Sequence, residues 1–382
     1  MLDSIYIGLT GMTSFQRNLT VIGNNVSNLN SAGFKASQLS LTDLRDGEGV
    51  TAGTTRVMFK QGTLRETGSA TDVAVDGNGF FVLREDDKTF YTRDGSFQFD
   101  PEGFLVSGKA RVAAFSGGSL QDVNVAGIRT SAPRATASVR LIDNLSSGDT
   151  DHDVAVTVFD AQGTSQALTL HLTNNGAVTP RSWLLEIRDS TGAVLSSGEI
   201  RFNGDGSPAS GFSSHTFTFS PPGGVPSSQI VFDFGAPGGF AGATNFSAGT
   251  DSTLRLGSQD GFAPGALQST AFDADGVLIA KYSNGQTLRD QRLALAFFDL
   301  PQDLEPAGAA RFENRGGQRV VLGNPHEGVF GTITPESLES ANVDLAAQFS
   351  ELIISQRGYQ ASSQVVSTAN ELVQQLLDLR KR

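Results

Sequence analysis

The sequence predicts a mainly β protein with a long α-helix at each end. The two helices form a discontinuous coaxial core, and the middle folds as two nested, hairpin-rich β-domains. Three observations predict this. Apolar residues repeat at 4-3 spacing at both termini. None of the 13 prolines lies in the first 100 residues or after Pro335. Glycine-punctuated Asp-x-x-Gly segments recur through the interior.

In the first helix Ile5, Leu9, Met12, Leu19 and Val26 fall on one stripe, with Gln16 and Gly23 completing the rhythm. The pattern predicts a helix over about 3–30, stopping near Gly33 as its C-terminal cap. At the far end Leu345, Phe349, Leu352, Tyr359, Val366, Val373 and Leu377 repeat in the same way, with Gln356, Ser363 and Asn370 between them. Asn342 is the expected N-cap, Asp344 lies in the first turn, and the helix continues to about Arg380. Proline breaks helix interiors, so its absence leaves both segments free to be continuous. At ~1.5 Å per residue they would be roughly 40 Å and roughly 55–60 Å long.

A heptad seam has to be buried against another helix. The seven apolar side chains of the last stripe contribute at most ~10–20 kcal/mol if fully buried. Ordering a helix of that length costs on the order of 50 kcal/mol before hydrogen bonding is counted. One stripe cannot hold such a helix, which needs neighbours on several sides. The two ends are therefore expected to pair with each other and with copies from other subunits.

Between the helices Phe99-Asp100-Pro101-Glu102-Gly103-Phe104-Leu105 is echoed by Phe272-Asp273-Ala274-Asp275-Gly276-Val277-Leu278. Related units stand at Asp160–Gly163 and Asp189–Gly192. Asp opening a turn and Gly closing it is type I turn chemistry, with the glycine free to go left-handed in a bulged hairpin. Flanks such as Val154, Val156, Val158 and Leu168, Leu170, Leu172 alternate as half-buried strands do. The division expected is paired terminal helices at 1–30 and 340–382, a connector at 31–70 and 326–339, and a β-domain at 71–145 and 263–325. A second β-domain at 146–262 is inserted into it.

A net charge of −12 argues against a nucleic-acid or anionic-membrane binder, and only Arg380-Lys381-Arg382 forms a basic cluster. With no cysteine there are no disulfides, no thiol chemistry and no cysteine-ligated metal. No run of 18 apolar residues exists to span a membrane, and no basic n-region precedes Arg17, so export would not use a cleavable signal. The four histidines (His152, His171, His215, His326) are isolated in sequence. Gly77-Asn78-Gly79 leads into a strand rather than a helix N-terminus, and the Asp/Gly turns lack calcium-loop spacing. No enzyme activity, metal or cofactor is expected.

Leu19-Thr20-Val21-Ile22-Gly23-Asn24-Asn25-Val26-Ser27-Asn28, followed by Ser31-Ala32-Gly33-Phe34-Lys35, resembles the N-terminal signature of bacterial flagellar rod and hook proteins. Asn342-Val343-Asp344-Leu345 and Gln356-Arg357-Gly358-Tyr359-Gln360-Ala361 resemble their C-terminal signature. Phe59-Lys60-Gln61-Gly62, Asp72–Val82 and Tyr91–Gly95 are similar to the central motif. The inserted segment of over 100 residues is similar to the hook branch, because rod subunits sharing both signatures are usually shorter.

The resemblance implies a subunit of a curved tube that passes motor torque from rod to filament for motility. Its partners would be copies of itself, rod subunits, hook cap and hook–filament junction proteins, and the flagellar type III export apparatus. The implied location is the extracellular flagellum. A distal rod subunit is the alternative within the family, and a secreted β-rich adhesin the alternative outside it. Residues expected at subunit interfaces are the apolar stripes named above together with Asn24, Asn25, Phe34, Lys35, Gln356, Arg357 and Gln360. Paired asparagines disfavour helix locally and point to hydrogen bonds with a partner.

Overall fold

The computed structural model describes residues 2–44 and 49–380; for Leu2 and residues 376–380 the backbone alone is described. The chain divides into two compact units, 1–127 with 269–280 and 288–382, and 128–268 with 281–287.

The first unit contains both helices, α1 (Leu2–Ser27) and α2 (Leu345–Arg380). Their 26 and 36 residues give lengths of about 39 Å and about 54 Å. The cap of α2 differs from expectation. The Asp344 carboxylate accepts the N–H groups of Ala346 (3.0 Å) and Ala347 (3.1 Å), so the cap lies two residues past Asn342. A charged acceptor at the positive end of the helix dipole outcompetes a neutral amide. The Asn342 amide instead accepts the Ala36 N–H and donates to the Met58 and Lys60 carbonyls, satisfying backbone groups that no strand pairs.

Gly33 also differs from its expected role. The helix stops at Ser27, six residues earlier. Gly33 has φ +67°, and a Cβ there would lie 2.2 Å from the Asp94 nitrogen. It is a point of backbone crossing rather than a helix cap.

Strands Ser37–Asp43 and Val50–Val57 form an antiparallel hairpin with a register shift between Leu39 and Leu41. Leu64–Glu66 pairs with Ser337–Glu339, and Val73–Asp76 with Thr332–Pro335. The unit's largest sheet centres on Phe80–Glu85, which pairs with Lys88–Thr92, Ala110–Ser116 and Leu295–Phe297. Its core is aromatic: Phe80 stands edge-on to Phe59 at 5.5 Å and to Phe298 at 5.9 Å, and Tyr91 stands edge-on to Phe298 at 4.7 Å.

In the second unit a four-stranded antiparallel sheet runs in chain order through Asp151–Phe159, Ser165–Asn174, Ser182–Arg188 and Val194–Arg201. A second sheet is centred on Ser138–Asn144, parallel to Ser228–Asp233 and antiparallel to Arg255–Gln259. Ser138–Asn144 thus pairs within this unit, whereas the sequence division placed 71–145 together in the other. One core takes the inward residues of both sheets. Val154, Val156, Val158, Leu168, Leu170, Leu172 and Trp183 come from the first, and Val139, Leu141, Ile230 and Phe232 from the second.

The repeated turns share one hydrogen-bond pattern. In the turns opened by Asp100, Asp160, Asp189 and Asp273 the Gly N–H, three residues on, donates to the Asp carbonyl. The Asp N–H donates to the carbonyl four residues on, and the carboxylate accepts that residue's N–H at 2.7–3.0 Å. The closing glycines have φ between 71° and 93°. Asp and Gly at this spacing therefore close a hairpin almost unaided.

Candidate assembly interface

The two helices pack antiparallel along the face of α1 that carries its small and polar residues. Gly8, Gly11, Ser14, Asn18, Ile22 and Asn25 are its buried positions. Asn25 Nδ2 donates to Gln348 Oε1 (3.0 Å) and Asn18 Nδ2 to Ser355 Oγ (2.9 Å). A Cβ on Gly11 would lie 2.6 Å from Ser362 Oγ, and one on Gly8 would lie 2.6 Å from Val366 Cγ2. Contacts at 25/348, 18/355 and 11/362 recur every seven residues on both helices, the period of a coiled-coil seam. A Cβ on Gly358 would lie 2.5 Å from the Phe15 ring, so the backbones approach closely throughout.

The apolar stripe of α1 is consequently turned away from α2. Leu9, Met12, Leu19 and Val26 each follow a buried small or polar residue by one position, about 100° around the helix. Leu9 is 55 % exposed; Ile5, Met12, Leu19 and Val26 are half-buried. On α2 the expected stripe divides. Leu352, Tyr359, Val366 and Val373 are half-buried on the side facing α1, whereas Leu345 and Phe349 are exposed, as are Gln356, Arg357 and Gln360. Leu377 lies outside the described side chains. Ile353 (54 %) and Ile354 (67 %) extend the exposed apolar surface, together with Val365 and Leu372. Leu345, Phe349 and Ile353 lie on one flank of α2, and Ile354, Val365 and Leu372 on the other.

The remaining expected residues do other things. Asn24 is exposed, its carbonyl and Oδ1 accepting from Asn28 Nδ2. Asn25 is 1 % exposed and spends its amide inside the chain, on Gln348 and on both backbone groups of Ser37. It clamps α1 to the first strand of the hairpin, and Ser14 Oγ holds the hairpin's second strand by donating to the Val50 carbonyl (3.1 Å). Half-buried Phe34 lines a 320 Å³ cavity together with Asn24, Asn28 and Lys35.

Lys35 belongs to a buried ionic cluster. Its Nζ lies 2.5 Å from Glu339 Oε1 and donates to the Lys60 carbonyl; Arg93 Nη1 lies 3.4 Å from Glu339 Oε2. Glu339 also accepts the Gly62 N–H on its carboxylate and the Gly33 N–H on its carbonyl. Two cations thus share one carboxylate out of water. Burial pushes the Lys35 amine below its ordinary range, with Glu339 opposing the shift, and burial does the same to the Arg93 guanidinium. Sequence reasoning missed this centre because Glu339 lies in none of the motifs and nothing in the sequence pairs Lys35 with Arg93. It also missed the seam of Gly8, Gly11, Asn18, Ser355 and Ser362, although small residues at 3-, 4- and 7-residue spacing were readable.

Three family descriptions match segments of this architecture. "Flagella basal body rod protein" matches 5–35, "Flagellar hook protein FlgE/F/G D1 domain" matches 74–125, and "Flagellar basal body rod FlgEFG protein C-terminal" matches 334–379. They define the class: an axial protein of the bacterial flagellum. Similarity to flagellar hook proteins extends over nearly the whole chain. That of Rhizobium meliloti is 31 % identical over 411 residues, covering 98 % of each chain, and that of Escherichia coli is 28 % identical over 406 residues, covering 97 % and 98 %. The crystal structure of a Helicobacter pylori flagellar hook protein shares the fold at a TM-score of 0.50, with 14 % identity, over 72 % of this chain and all of that one. The chain belongs to the flagellar hook protein family and is a structural subunit of the flagellum.

Proposed function

We propose that copies of this chain assemble into a curved tube, the flagellar hook, in which α1 and α2 line the inner wall and carry the torsional load from rod to filament. Segments 31–70 and 326–339 join the helices to the β-domains, which make up the outer wall and slide on bending while inner contacts persist. The subunit travels by the flagellar type III apparatus to the extracellular flagellum. It meets rod subunits at one end of the tube, and cap and junction proteins at the other.

The observation that carries this reading is the direction of the apolar side chains. Within the chain the helices approach closely at Gly8, Gly11, Asn18 and Asn25, while Leu9, Phe349, Ile353 and Ile354 stay 49–67 % exposed. Copies of the same helices are the surfaces of matching length and period. Electron microscopy of the concentrated full chain tests the reading. Curved tubes are the expected result; straight rods favour a rod subunit, and a protein that stays monomeric overturns the proposal.

A further inference from the structure

The second unit displays an aromatic ridge. Phe240 is 56 % and Phe246 46 % exposed, their rings stacked at 6.1 Å and 19°. The loop bearing them is held firmly. Arg140 Nη2 donates to the Ala241 carbonyl (2.9 Å), and Arg181 Nη1 donates to the Asn245 carbonyl (3.0 Å). The Asn144 side chain donates to the Phe246 carbonyl and accepts its N–H. Phe246 lies across Gly206, where a Cβ would come within 2.7 Å of its ring. Two large apolar groups on a rigid support are preorganised for contact. Arg140 and Arg181 beside them are exposed and form no ion pair among the described residues.

The same unit carries a groove of about 490 Å³ lined by the apolar Leu168, Leu195, Phe217 and Phe219 and by the polar Gln166, Ser190, Thr218 and Ser220, with Asp189 among its lining residues. Ridge and groove lie at opposite ends of one sheet. Strand Ser182–Arg188 begins beside Arg181, whose guanidinium holds the ridge, and ends next to Asp189. Its seven residues span about 23 Å, so one copy cannot close the contact on itself.

We propose that the Phe240/Phe246 ridge of one copy docks in the Leu195/Phe217 groove of the next, with Arg140 and Arg181 meeting Asp189 of that groove. The contact is heterologous: unlike surfaces meet head to tail and propagate without closing, as a helical wall requires. Each ring is already about half covered, so the two phenylalanines can bury only on the order of 150–250 Å² more, well below a stable interface of ~1,600 Å². The contact is therefore weak alone and effective only in a row, which suits an outer wall that must yield on bending. This inference rests on the self-assembly proposed above.

The chain has no cysteine, so an introduced pair can be cross-linked cleanly. Phe246→Cys and Leu195→Cys, singly and together in the full chain, are treated with a short bis-maleimide after concentration, with polymers scored in parallel by electron microscopy. A covalent ladder of head-to-tail multimers from the double variant alone, and none from either single variant, is expected. Dimers from Phe246→Cys alone indicate a ridge-to-ridge contact and overturn the proposal. Polymers without a ladder overturn this contact while leaving the tube reading intact. Absence of both polymers and ladder overturns the two together.

Discussion

Replacing Glu339 by glutamine removes the single anion shared by two buried cations, and the structure gives the size of the effect. Glu339 Oε1 faces Lys35 Nζ at 2.5 Å and the Gly62 N–H at 2.8 Å, and Oε2 faces Arg93 Nη1 at 3.4 Å. A glutamine keeps one acceptor oxygen and turns an NH2 toward one of the cations. Removing one partner of a buried pair costs about 3–5 kcal/mol, equivalent to a fall in Tm of roughly 10 °C for a unit of this size. Lys35→Met behaves differently, because it leaves Glu339 and Arg93 as a neutral pair; the lost hydrogen bonds cost about 1–2 kcal/mol.

The ratio of the two effects is the diagnostic quantity, expected at twofold or more. It is measured by calorimetry or far-UV circular dichroism, with emission from Trp183 as an internal control because that residue lies in the other unit. Burial holds the folded-state pKa of Lys35 below its ordinary value of 10.5, so over that interval the unfolded chain binds more protons and stability rises with pH. Lys35→Met removes this rise. Equal losses from Glu339→Gln and Lys35→Met would refute the shared-carboxylate account.

Other expectations follow from single contacts. Ala309 and Ala310 occupy the two central positions of a hairpin turn at φ 51° and 54°, a conformation that favours Asn-Gly. Ala309→Asn with Ala310→Gly should therefore raise stability by about 1–2 kcal/mol, measured by urea unfolding. Burial pushes the Asp94 carboxyl up, against its bonds to Ser96. Its folded-state value therefore lies above the unfolded one, and the stability it contributes at low pH is lost as pH rises through that value. Asp94→Asn keeps an acceptor for the Ser96 N–H, so the variant should exceed the natural protein in Tm at pH 7, with the difference closing below about pH 4. Gly8→Val places a branched side chain where Val366 already stands, and overpacking of about 1–3 kcal/mol should appear as faster proteolysis of the N-terminal helix.

The fold class was legible because its signals are local. Proline-free heptads give helices, and Asp-x-x-Gly closes the same hairpin turn at Asp100, Asp160, Asp189 and Asp273. What was not legible depended on three-dimensional competition. Asn342 and Asp344 are both good caps, and only the surrounding backbone decides which is used. Gly33 reads as a helix terminator because the need for glycine at its crossing with Asp94 leaves no trace in nearby sequence. Heptad spacing locates an apolar edge without saying what it faces. Here the intramolecular partner takes the neighbouring edge of Gly11, Asn18 and Asn25, where the Asn25 amide bonds to Gln348 and Ser37. The Lys35–Glu339–Arg93 cluster joins residues 304 positions apart at its extremes, beyond the reach of any motif.

The most direct test concerns Phe349 and Ile354, which are 49 % and 67 % exposed on α2. The single chain gains little from either side chain, so Phe349→Asp with Ile354→Asp should change monomer stability by only about 0.5 kcal/mol. In the tube each would lie in a dry seam worth about 1.5–3 kcal/mol per side chain, now holding a charge. The doubly substituted chain should remain folded and monomeric at concentrations where the natural one polymerises. Tubes forming at the natural threshold would contradict burial of these edges between copies.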